Sequence, residues 1–478
     1  MKKGDVLKLK IEDYAFEGKG ICKIPSTEDP DKKFVVFVHG SYPGDEVEAQ
    51  VGRKKRSYAE AKTINVITPS KFRVDAKCKH FGTCGGCKQQ DLDYEKQLFY
   101  KQAQVKDVFE RIGGFKDLTI EPIVPSKNIF FYRNKLEFSF ADKRWLTKEE
   151  IGDQESIDDR NFALGFHIPR IFDKVLDVSE CYLQSEVSTE VLNFTRNFFK
   201  PKSTSIFSTR THEGYLRNLV IKQSQHLDDL MVNLVTFSDD PQLMTEYADA
   251  LKEAIPSVTT FVNNINEKKA NVAIGDYEKV YFGDGYIFDT IGGYKYRISS
   301  NSFFQTNTVQ ADNLYKIAKD FAELNSTEVA YDLYSGAGTI SIYISDACKE
   351  VHAFESVVPA VDDAKVNSGI NKVTNVNYHL ADLNKSFLPI VEHHKIPNPD
   401  FIMLDPPRAG MNPKTVKDVL KLAPAKIVYV SCNPASQARD IQLLCEEKYE
   451  LIKMRPVDMF PHTFHIENVA LLKKRKER

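Results

Sequence analysis

The sequence predicts a multidomain protein with a small N-terminal β-barrel, a central α+β domain and a C-terminal α/β domain. Three observations support this prediction. The chain has 478 residues, which is too long for one ordinary hydrophobic core. Its first part consists of short apolar runs separated by glycine-containing turns, and its last part alternates strand and helix patterns. We therefore expect domains at residues 1–68, 69–297 and 298–478.

The N-terminal domain is predicted from five strand candidates. They are "VLKLKIEDY", "KGICKI", "KKFVVFVHG", "DEVEAQVG" and "YAEAKTINVIT". Five short strands with glycine-rich turns are typical of an OB-like barrel, and another small five-stranded barrel would show the same pattern.

The central domain is predicted to mix strands with two helices. The first helix extends from about Asp93 to Ile112, with apolar residues on one face, and Gly113-Gly114 ends it. Residues 119–295 are mostly strand-like, and a second helix is expected within "SEVSTEVLNFTRNFF". This mixture indicates an α+β domain.

The C-terminal domain is predicted from strands that alternate with helical segments. The strand candidates are "EVAYDLYS", "EVHAFES", "NVNYHLAD", "DFIMLDPP" and "KIVYVSC". Such alternation predicts a Rossmann-like, doubly wound parallel sheet. The last segment, from residue 449 onwards, is predicted to form a final pair of strands.

The composition describes a globular protein with no targeting signal. Hydrophobic residues make up 42% of the chain and charged residues 28%. No apolar run is long enough to span a bilayer, and the N-terminus lacks the apolar segment of a signal peptide. The net charge of −2 neither indicates nor excludes a polyanionic partner. We expect a cytoplasmic monomer.

A glycine loop is the first candidate ligand site. In "DLYSGAGTIS", Gly336 and Gly338 lie between a strand and a helix, where a ligand can approach the backbone. Glu355 ends the next strand candidate, where an acid can accept hydrogen bonds from ribose hydroxyls. Asp382 ends the third strand candidate, where an acid could bind an adenine. Ser341 stands where a dinucleotide fingerprint has its third glycine, so S-adenosylmethionine fits better than NAD. A purely structural tight turn is the alternative.

Two further motifs are predicted at the same sheet edge. Asp405 in "LDPPRAG" ends the fourth strand candidate, and Cys432 in "VYVSCNP" ends the fifth. The carboxyl ends of parallel strands meet at one edge, so both residues should share a crevice with the glycine loop. An isolated cysteine at a strand end is more often a packing residue. The convergence of motifs favours a reactive thiol.

The motifs together resemble a known family. "SFFQTN", "DLYSGAGTIS", "LDPPRAG", "VSCNP" and "HIENVALL" occur in the order found in the RNA (uracil-5-)-methyltransferase family, and the resemblance covers nearly the whole chain. "CGGC" and the N-terminal barrel are similar to the branch that modifies 23S ribosomal RNA. The resemblance implies S-adenosylmethionine-dependent formation of 5-methyluridine, with an N-terminal TRAM domain that binds RNA. Transfer RNA is the alternative substrate, and methylation of an exocyclic amine, which needs no thiol, is the alternative reaction.

The resemblance also implies roles for individual residues. Cys432 would add to C6 of the uracil, Glu467 would remove the C5 proton, and Asp405 would hold the uracil. The cofactor pocket would consist of Gln305, Tyr334, Gly336, Gly338, Thr339, Glu355, Asp382 and Asp405. Thr339 and Asp382 stand where some family members carry asparagine.

Four of the eight cysteines are candidate metal ligands. A disulfide framework is not expected in such a chain. Cys78, Cys84 and Cys87 are clustered around two glycines, and Cys181 stands far downstream. Four thiolates suit either zinc or an iron–sulfur cluster. The resemblance implies a structural [4Fe–4S] cluster with Cys181 as the fourth ligand, and zinc is the alternative.

Two central strand candidates pair basic with aromatic residues. "YRNKLEF" contains Arg133 and Lys135, and "YLRNLVIK" contains Arg217 and Lys222. Such strands suit single-stranded RNA through phosphate contacts and stacking. An equally good interpretation is that these basic and aromatic residues lie on solvent-exposed strand faces and have no role in RNA binding.

Overall fold

The computed structural model describes residues 1–25, 33–147, 150–151, 160–169, 171, 173–269 and 273–476. These residues form three β-sheets, a separate hairpin and the helices that pack on them. Among the described residues, no helix has the length and apolar character needed to cross a membrane.

The first sheet contains six strands rather than the five that were predicted. They are β1 (Val6–Lys10), β2 (Asp13–Ala15), β3 (Lys19–Pro25), β4 (Lys33–His39), β5 (Glu46–Lys54) and β6 (Tyr58–Thr68). Their order is β1-β5-β6-β4-β3-β2, and only β4 and β6 run parallel. The run "VLKLKIEDY" was predicted as one strand. It divides into β1 and β2 at Ile11 and Glu12, because the backbone N–H groups of these residues donate hydrogen bonds to the carbonyls of Asp45 and Ile21.

The second sheet forms the central domain. Its strands are β7 (Lys135–Ala141), β8 (Arg144–Trp145), β9 (Ala163–His167), β10 (Val175–Asp177), β11 (Leu216–Gln223), β12 (Leu230–Thr236), β13 (Thr260–Ile265) and β14 (Tyr277–Phe282). Their order is β14-β13-β12-β11-β7-β9-β10-β8. Helices α2 (Glu186–Phe199) and α3 (Pro241–Ala254) bury Leu192, Phe199 and Tyr247 in one core with the strands. Helix α2 was predicted, and α3 was not.

The third sheet forms the C-terminal domain. Its strands are β17 (Val329–Leu333), β18 (Glu350–Glu355), β19 (Val376–Leu380), β20 (Phe401–Leu404), β21 (Lys426–Ser431), β22 (Tyr449–Val457) and β23 (Glu467–Lys474). The described helices that accompany them are α4 (Thr308–Ala322), α5 (Thr339–Ile344), α6 (Val358–Ile370), α7 (Leu388–His393), α8 (Pro413–Leu422) and α9 (Pro434–Glu447).

The order of this sheet is β19-β18-β17-β20-β21-β23-β22. The first five strands are parallel, and β23 is antiparallel to both of its neighbours. This confirms the predicted Rossmann-like sheet and the final strand pair. The strand order reverses between β17 and β20, and open sheets of this kind bind ligands at such a point.

A β-hairpin links the central and C-terminal parts of the chain. Its strands are β15 (Tyr286–Ile291) and β16 (Tyr294–Ser299). Most of the hairpin precedes residue 298, where the C-terminal domain was predicted to begin, and its second strand crosses that position. Its buried side chains Ile287, Ile291 and Tyr296 nevertheless lie in the hydrophobic core of the third sheet.

The first helix, α1 (Tyr94–Arg111), was predicted as part of the central domain, but it packs on the third sheet. Val105 and Phe109 share a core with Met454 of β22. Lys101 is also buried there, with its Nζ 2.6 Å from Oδ1 of the buried Asp458. The helix therefore contacts the segment between β22 and β23.

Candidate active site

The glycine loop connects β17 to α5 and is held by the end of β18. Tyr334, Gly336 and Gly338 all have positive φ, which twists the chain into a tight loop. The backbone N–H of Gly336 donates to Oε2 of Glu355 at 3.0 Å. A Cβ on Gly338 would lie 2.5 Å from the Tyr378 hydroxyl. Only glycine satisfies both the conformation and the space at that position.

The "DPPRAG" loop is fixed by a buried carboxylate on α9. Asp440 accepts hydrogen bonds from the Met411 N–H at 2.7 Å and the Tyr429 hydroxyl at 2.8 Å. The carbonyl of Arg408 accepts from Nδ2 of Asn433 at 2.9 Å and from Oγ of Ser436 at 3.0 Å. The loop after β20 is therefore tied to the loop after β21, which carries Cys432.

Cys432, Asp405 and Glu467 lie at the ends of three neighbouring strands. Burial raises the pKa of Asp405 to about 7. Burial, together with the charges of Glu467 and Asp405, raises the pKa of Cys432 to about 12, while Arg408 opposes that shift. Burial and the charge of Asp405 also raise the pKa of Glu467 well above its usual value. Before a substrate enters, the site therefore favours the protonated thiol, and it shifts both acids towards their protonated forms.

The loop that carries Gln305 is held by the central domain. Nδ2 of Asn134 donates to the Gln305 carbonyl and to Oγ1 of Thr308, both at 2.7 Å. Nζ of Lys222 donates to the carbonyls of Ser299 at 2.6 Å and Ser302 at 2.9 Å. These contacts fix the loop from the outside, so that its residues line the cavity.

One cavity of about 1000 Å³ brings these loops together. Its lining includes the sequence-predicted residues Gln305, Tyr334, Gly336, Thr339, Glu355, Asp405, Cys432 and Glu467. Pockets that bind one drug-sized ligand measure about 300 to 1,000 Å³. The cavity lies at the upper end of that range and has room for a cofactor-sized ligand.

Two of the sequence-predicted pocket residues do not line this cavity. Gly338 lies behind the loop and is closed off by Tyr378. Asp382 is exposed, and its carboxylate accepts from the Asn384 N–H at 3.0 Å and pairs with Lys385 at 3.1 Å. This carboxylate stabilises its own turn at the end of β19.

Other cavity residues were not assigned a role from the sequence. Phe303 is 72% exposed beside Gln305, and the lining also includes Phe460, Arg408 and His465. Nη2 of Arg408 lies 2.6 Å from Nδ1 of His465. Arg408 belongs to the "DPPR" motif and His465 to the "HIEN" motif. Membership of these motifs was the sequence signal that could have identified both residues as part of the site.

The basic residues of the central strands divide into two groups. Arg133 lines the cavity, and Lys135 is half-buried. Arg217 and Lys222 are buried, 2% and 4% exposed, and both donate to backbone carbonyls. The interpretation of Arg217 and Lys222 as RNA-facing residues is therefore wrong.

The four candidate ligand cysteines line a second, smaller cavity of about 120 Å³. The backbone N–H of Gly86 donates to Sγ of Cys84, and Nε2 of Gln90 donates to Sγ of Cys87, both at 3.4 Å. Burial raises the pKa of Cys181 to about 12, and the other three cysteines add to that shift. Within the described residues, no three His, Cys, Asp or Glu side chains are arranged to hold a metal ion.

Comparison with known proteins identifies the family. The family model described as tRNA (Uracil-5-)-methyltransferase matches residues 232–475, and the TRAM domain model matches residues 1–64. Uncharacterized RNA methyltransferases of Chlorobaculum tepidum and Bacteroides thetaiotaomicron are both 42% identical to this chain. The alignments cover 99% and 96% of this chain, and 97% and 100% of those proteins.

A solved structure extends the match to three dimensions. It is Pyrococcus abyssi tRNA (uracil-54, C5)-methyltransferase in complex with S-adenosyl-L-homocysteine. The TM-score is 0.74 at 29% identity, and the match covers 98% of this chain and 100% of that one. The chain therefore belongs to the tRNA (uracil-5-)-methyltransferase family and is an S-adenosylmethionine-dependent RNA uracil C5-methyltransferase with an N-terminal TRAM domain.

Proposed function

We propose that this enzyme forms 5-methyluridine in 23S ribosomal RNA, with Cys432 as nucleophile and Glu467 as base. The observation that carries the catalytic proposal is that these two side chains and Asp405 line the same cavity as the glycine loop. A thiol, a carboxyl group and a nucleoside pocket are the groups that methylation of C5 requires.

The reaction follows from the reactivity of uracil, whose C5 is a weak nucleophile. The Cys432 thiolate forms a bond to C6, and the electrons of the C5–C6 double bond move towards the C4 carbonyl as an enolate. S-adenosylmethionine supplies an electrophilic methyl group, to which C5 bonds as the methyl–sulfur bond breaks and S-adenosylhomocysteine leaves. Glu467 then removes the C5 proton, and the bond between C6 and sulfur breaks to restore the thiolate.

Asp405 is proposed to hold the uracil edge. Because burial raises its pKa to about 7, both the neutral acid and the carboxylate are populated near neutral pH. The neutral acid donates a hydrogen bond and the carboxylate accepts one, so Asp405 suits an edge that carries both carbonyls and an N–H.

The cofactor pocket is proposed to comprise the glycine loop with Gln305, Tyr334, Thr339 and Glu355. Glu355 is held by the loop it faces, because its Oε2 accepts from the Gly336 N–H. The Thr339 hydroxyl lies 2.9 Å from the Tyr315 hydroxyl. Both side chains are therefore positioned before a ligand binds.

The cysteine cavity is proposed to hold a [4Fe–4S] cluster on Cys78, Cys84, Cys87 and Cys181. The shared 120 Å³ cavity supports this proposal, as do the N–H donors aimed at two of the sulfurs, because such bonds stabilise cluster thiolates. A single zinc ion needs its four sulfurs on one tight tetrahedron. Cysteines spread around a cavity suit the larger group better. When bound, the cluster supplies a cross-link between two distant segments.

Spectra and metal analysis test the cluster. Anaerobically purified protein is expected to absorb broadly in the visible region and to contain about four iron and four sulfide per chain. Cys181→Ser should lose both properties. Stoichiometric zinc without sulfide would support the zinc alternative and refute the cluster.

The ribosomal substrate is supported by the cysteine site, which the resemblance associates with the ribosomal RNA branch. Transfer RNA remains a specific second candidate, because the similar Pyrococcus abyssi structure is that of a transfer RNA enzyme. We also propose a cytoplasmic monomer. None of the eight cysteines is in a disulfide, which is typical of a cytoplasmic protein, and light scattering tests the monomer.

An adduct trap with 5-fluorouridine tests substrate and mechanism together. Fluorine cannot leave C5 as a proton does, so the enzyme should remain bonded to the RNA. We expect a denaturation-resistant complex with 23S ribosomal RNA fragments and S-adenosylmethionine, and none with Cys432→Ala. A complex that forms only with transfer RNA would keep the mechanism and show that the substrate is transfer RNA. Methylated product without any complex would refute the thiol mechanism and favour an exocyclic amine.

A further inference from the structure

Arg408 and His465 form a hydrogen-bonded pair on the wall of the large cavity. Nη2 of Arg408 lies 2.6 Å from Nδ1 of His465. The backbone of Arg408 is itself fixed, because its carbonyl accepts from Asn433 and Ser436. The imidazole also packs against the Phe464 ring at a centroid distance of 4.6 Å. The ring is therefore held on two sides.

The partner determines the tautomer of the imidazole. A guanidinium group only donates hydrogen bonds, so Nδ1 of His465 must be the acceptor. A neutral imidazole that accepts at Nδ1 carries its proton at Nε2. Burial and the nearby cations Arg408, Lys101 and Arg133 lower the pKa of His465 to about 4. The ring is thus a neutral Nε2–H donor at neutral pH.

This donor has no protein acceptor among the residues that the structure describes. Nδ1 of His465 bonds to Arg408, whereas Nε2 has no described hydrogen bond, although the residue lines the cavity. Nε2 is also not among the buried polar atoms that lack a partner. The N–H group is therefore accessible, on a side chain that lines the cavity.

We propose that the Nε2–H of His465 donates a hydrogen bond to O4 of the target uracil and stabilises the enolate that forms when the Cys432 thiolate adds to C6. This proposal rests on the proposed function. Arg408 acts as a positioning residue, since it selects the tautomer and holds the ring.

The choice of O4 follows from the arrangement of atoms in uracil. C5 has two ring neighbours, C6 and C4. Cys432 is proposed to bond C6 and Glu467 to reach the proton on C5. His465 lies two residues before Glu467, on the segment that leads into β23. A donor beside Glu467 therefore meets the C4 carbonyl, whereas O2 lies on the opposite side of the ring.

The stabilised species is an ordinary enolate, and its atoms balance. The S–C6 bond forms, the C5–C6 π electrons shift to C5–C4, and the C4 carbonyl electrons move to O4. When C5 takes the methyl group, the C4 carbonyl returns. The His465 proton stays on nitrogen throughout, as expected for an electrostatic donor rather than an acid.

Two substitutions at residue 465 test the donor. His465→Phe keeps a ring but removes the N–H, and we expect kcat to fall by about 10²-fold to 10³-fold, the usual effect of losing one oxyanion donor. His465→Gln keeps an amide N–H at a similar distance and should recover at least about tenfold of that loss. Binding of S-adenosylhomocysteine and thermal unfolding, measured on both variants, report whether each one folds.

A substrate change separates a contact to O4 from a structural role. Sulfur is a weaker acceptor than oxygen, so RNA with 4-thiouridine at the target should be methylated more slowly by the wild-type enzyme. Comparing both substrates in both enzymes cancels the intrinsic reactivity of the thio base. We expect the penalty for 4-thiouridine to shrink by about tenfold or more in His465→Phe. RNA with 2-thiouridine should affect both enzymes equally.

The outcomes are distinct. Wild-type rates in His465→Phe, or an equal 4-thiouridine penalty in both enzymes, would overturn the inference while the proposed function stands. A change in the 2-thiouridine penalty alone would move the contact to O2 and also overturn it. If wild-type enzyme methylates none of the RNA substrates, the proposed function fails and this inference fails with it.

Discussion

Glu467 is 7% exposed, and its carboxyl group lies near that of Asp405. Burial and the neighbouring charge raise its pKa, which makes its ionised form a stronger base for the C5 proton. Glu467→Gln keeps the shape but cannot accept that proton. We expect kcat to fall by about 10²-fold to 10⁴-fold, with a covalent complex accumulating on ordinary uridine RNA.

Denaturing gels and single-turnover kinetics check this prediction. The double variant Cys432→Ala, Glu467→Gln is the matched control and should form no complex. Normal turnover by Glu467→Gln would assign proton removal to another group.

The pH dependence of adduct formation reports on Cys432. Burial, Glu467 and Asp405 raise the thiol pKa to about 12, so the thiol is mostly protonated at neutral pH. The thiolate fraction, and with it the rate of trapping by 5-fluorouridine RNA, should rise about tenfold per pH unit between about pH 8 and 10, above the pKa of about 7 of Asp405. The trapped step needs no proton removal from C5, so Glu467 does not confound it. A rate that is flat over this range would mean that bound RNA already ionises the thiol.

At the residue scale, the order of the motifs was enough to identify the reactive groups from the sequence. The roles of Asp382 and His465 depend instead on local geometry. Asp405 and Cys432 follow parallel strands that end at one edge, and Glu467 lies at the same edge because it begins β23, which runs antiparallel to them. Asp382 also follows a strand, yet its carboxylate bonds the Asn384 N–H of its own turn. His465 was not assigned a role, because a sequence does not show that Arg408 lies 2.6 Å away.

At the scale of elements, a buried ion pair anchors α1. Lys101 is 1% exposed and Asp458 is fully buried, and Asp458 also accepts from the Tyr94 hydroxyl at 2.8 Å. Lys101→Met should destabilise the protein by about 3 to 5 kcal/mol, because it leaves a buried carboxylate without its cation.

Urea unfolding of Lys101→Met measures this loss. Lys106→Met is the matched control on the same helix, since Lys106 is 62% exposed in its pair with Glu110 and should cost about 0 to 0.5 kcal/mol. Equal effects of the two substitutions would contradict an anchoring role for the buried pair.

The predicted elements differ from the observed ones where local signals are short. Helix α3 was missed among strand-like runs, although Asp240 caps it and Pro241 opens it, which is a typical helix start. Most of the hairpin of β15 and β16 precedes the change in sequence pattern near residue 298. Its placement in the third sheet's core depends on contacts with α4 and α6, which are distant in the sequence.

At the scale of the whole molecule, distant segments meet at the loop before Glu467. The backbone N–H groups of Lys88 and Gln89, directly after Cys87, donate to the His462 carbonyl at 2.8 and 3.0 Å. The His462 N–H in turn donates to Oε1 of Gln97 on α1 at 2.8 Å. No local pattern predicts contacts between segments so far apart in the chain. The link between the cysteine cavity and the active-site cavity therefore could not be predicted from the sequence.

This connection predicts that the cysteine site stabilises the loop before Glu467, residues 458–465, which we call the catalytic loop. Cys181→Ser removes one proposed ligand, which should loosen the loop around Cys87 and with it the support of His462. We expect faster amide hydrogen exchange in peptides covering residues 84–90 and also 458–465, measured by mass spectrometry. Cys445→Ser is the matched control, because Cys445 lines neither cavity, and it should leave both peptides unchanged. Faster exchange in 84–90 alone would show that the catalytic loop holds its position without the cysteine site.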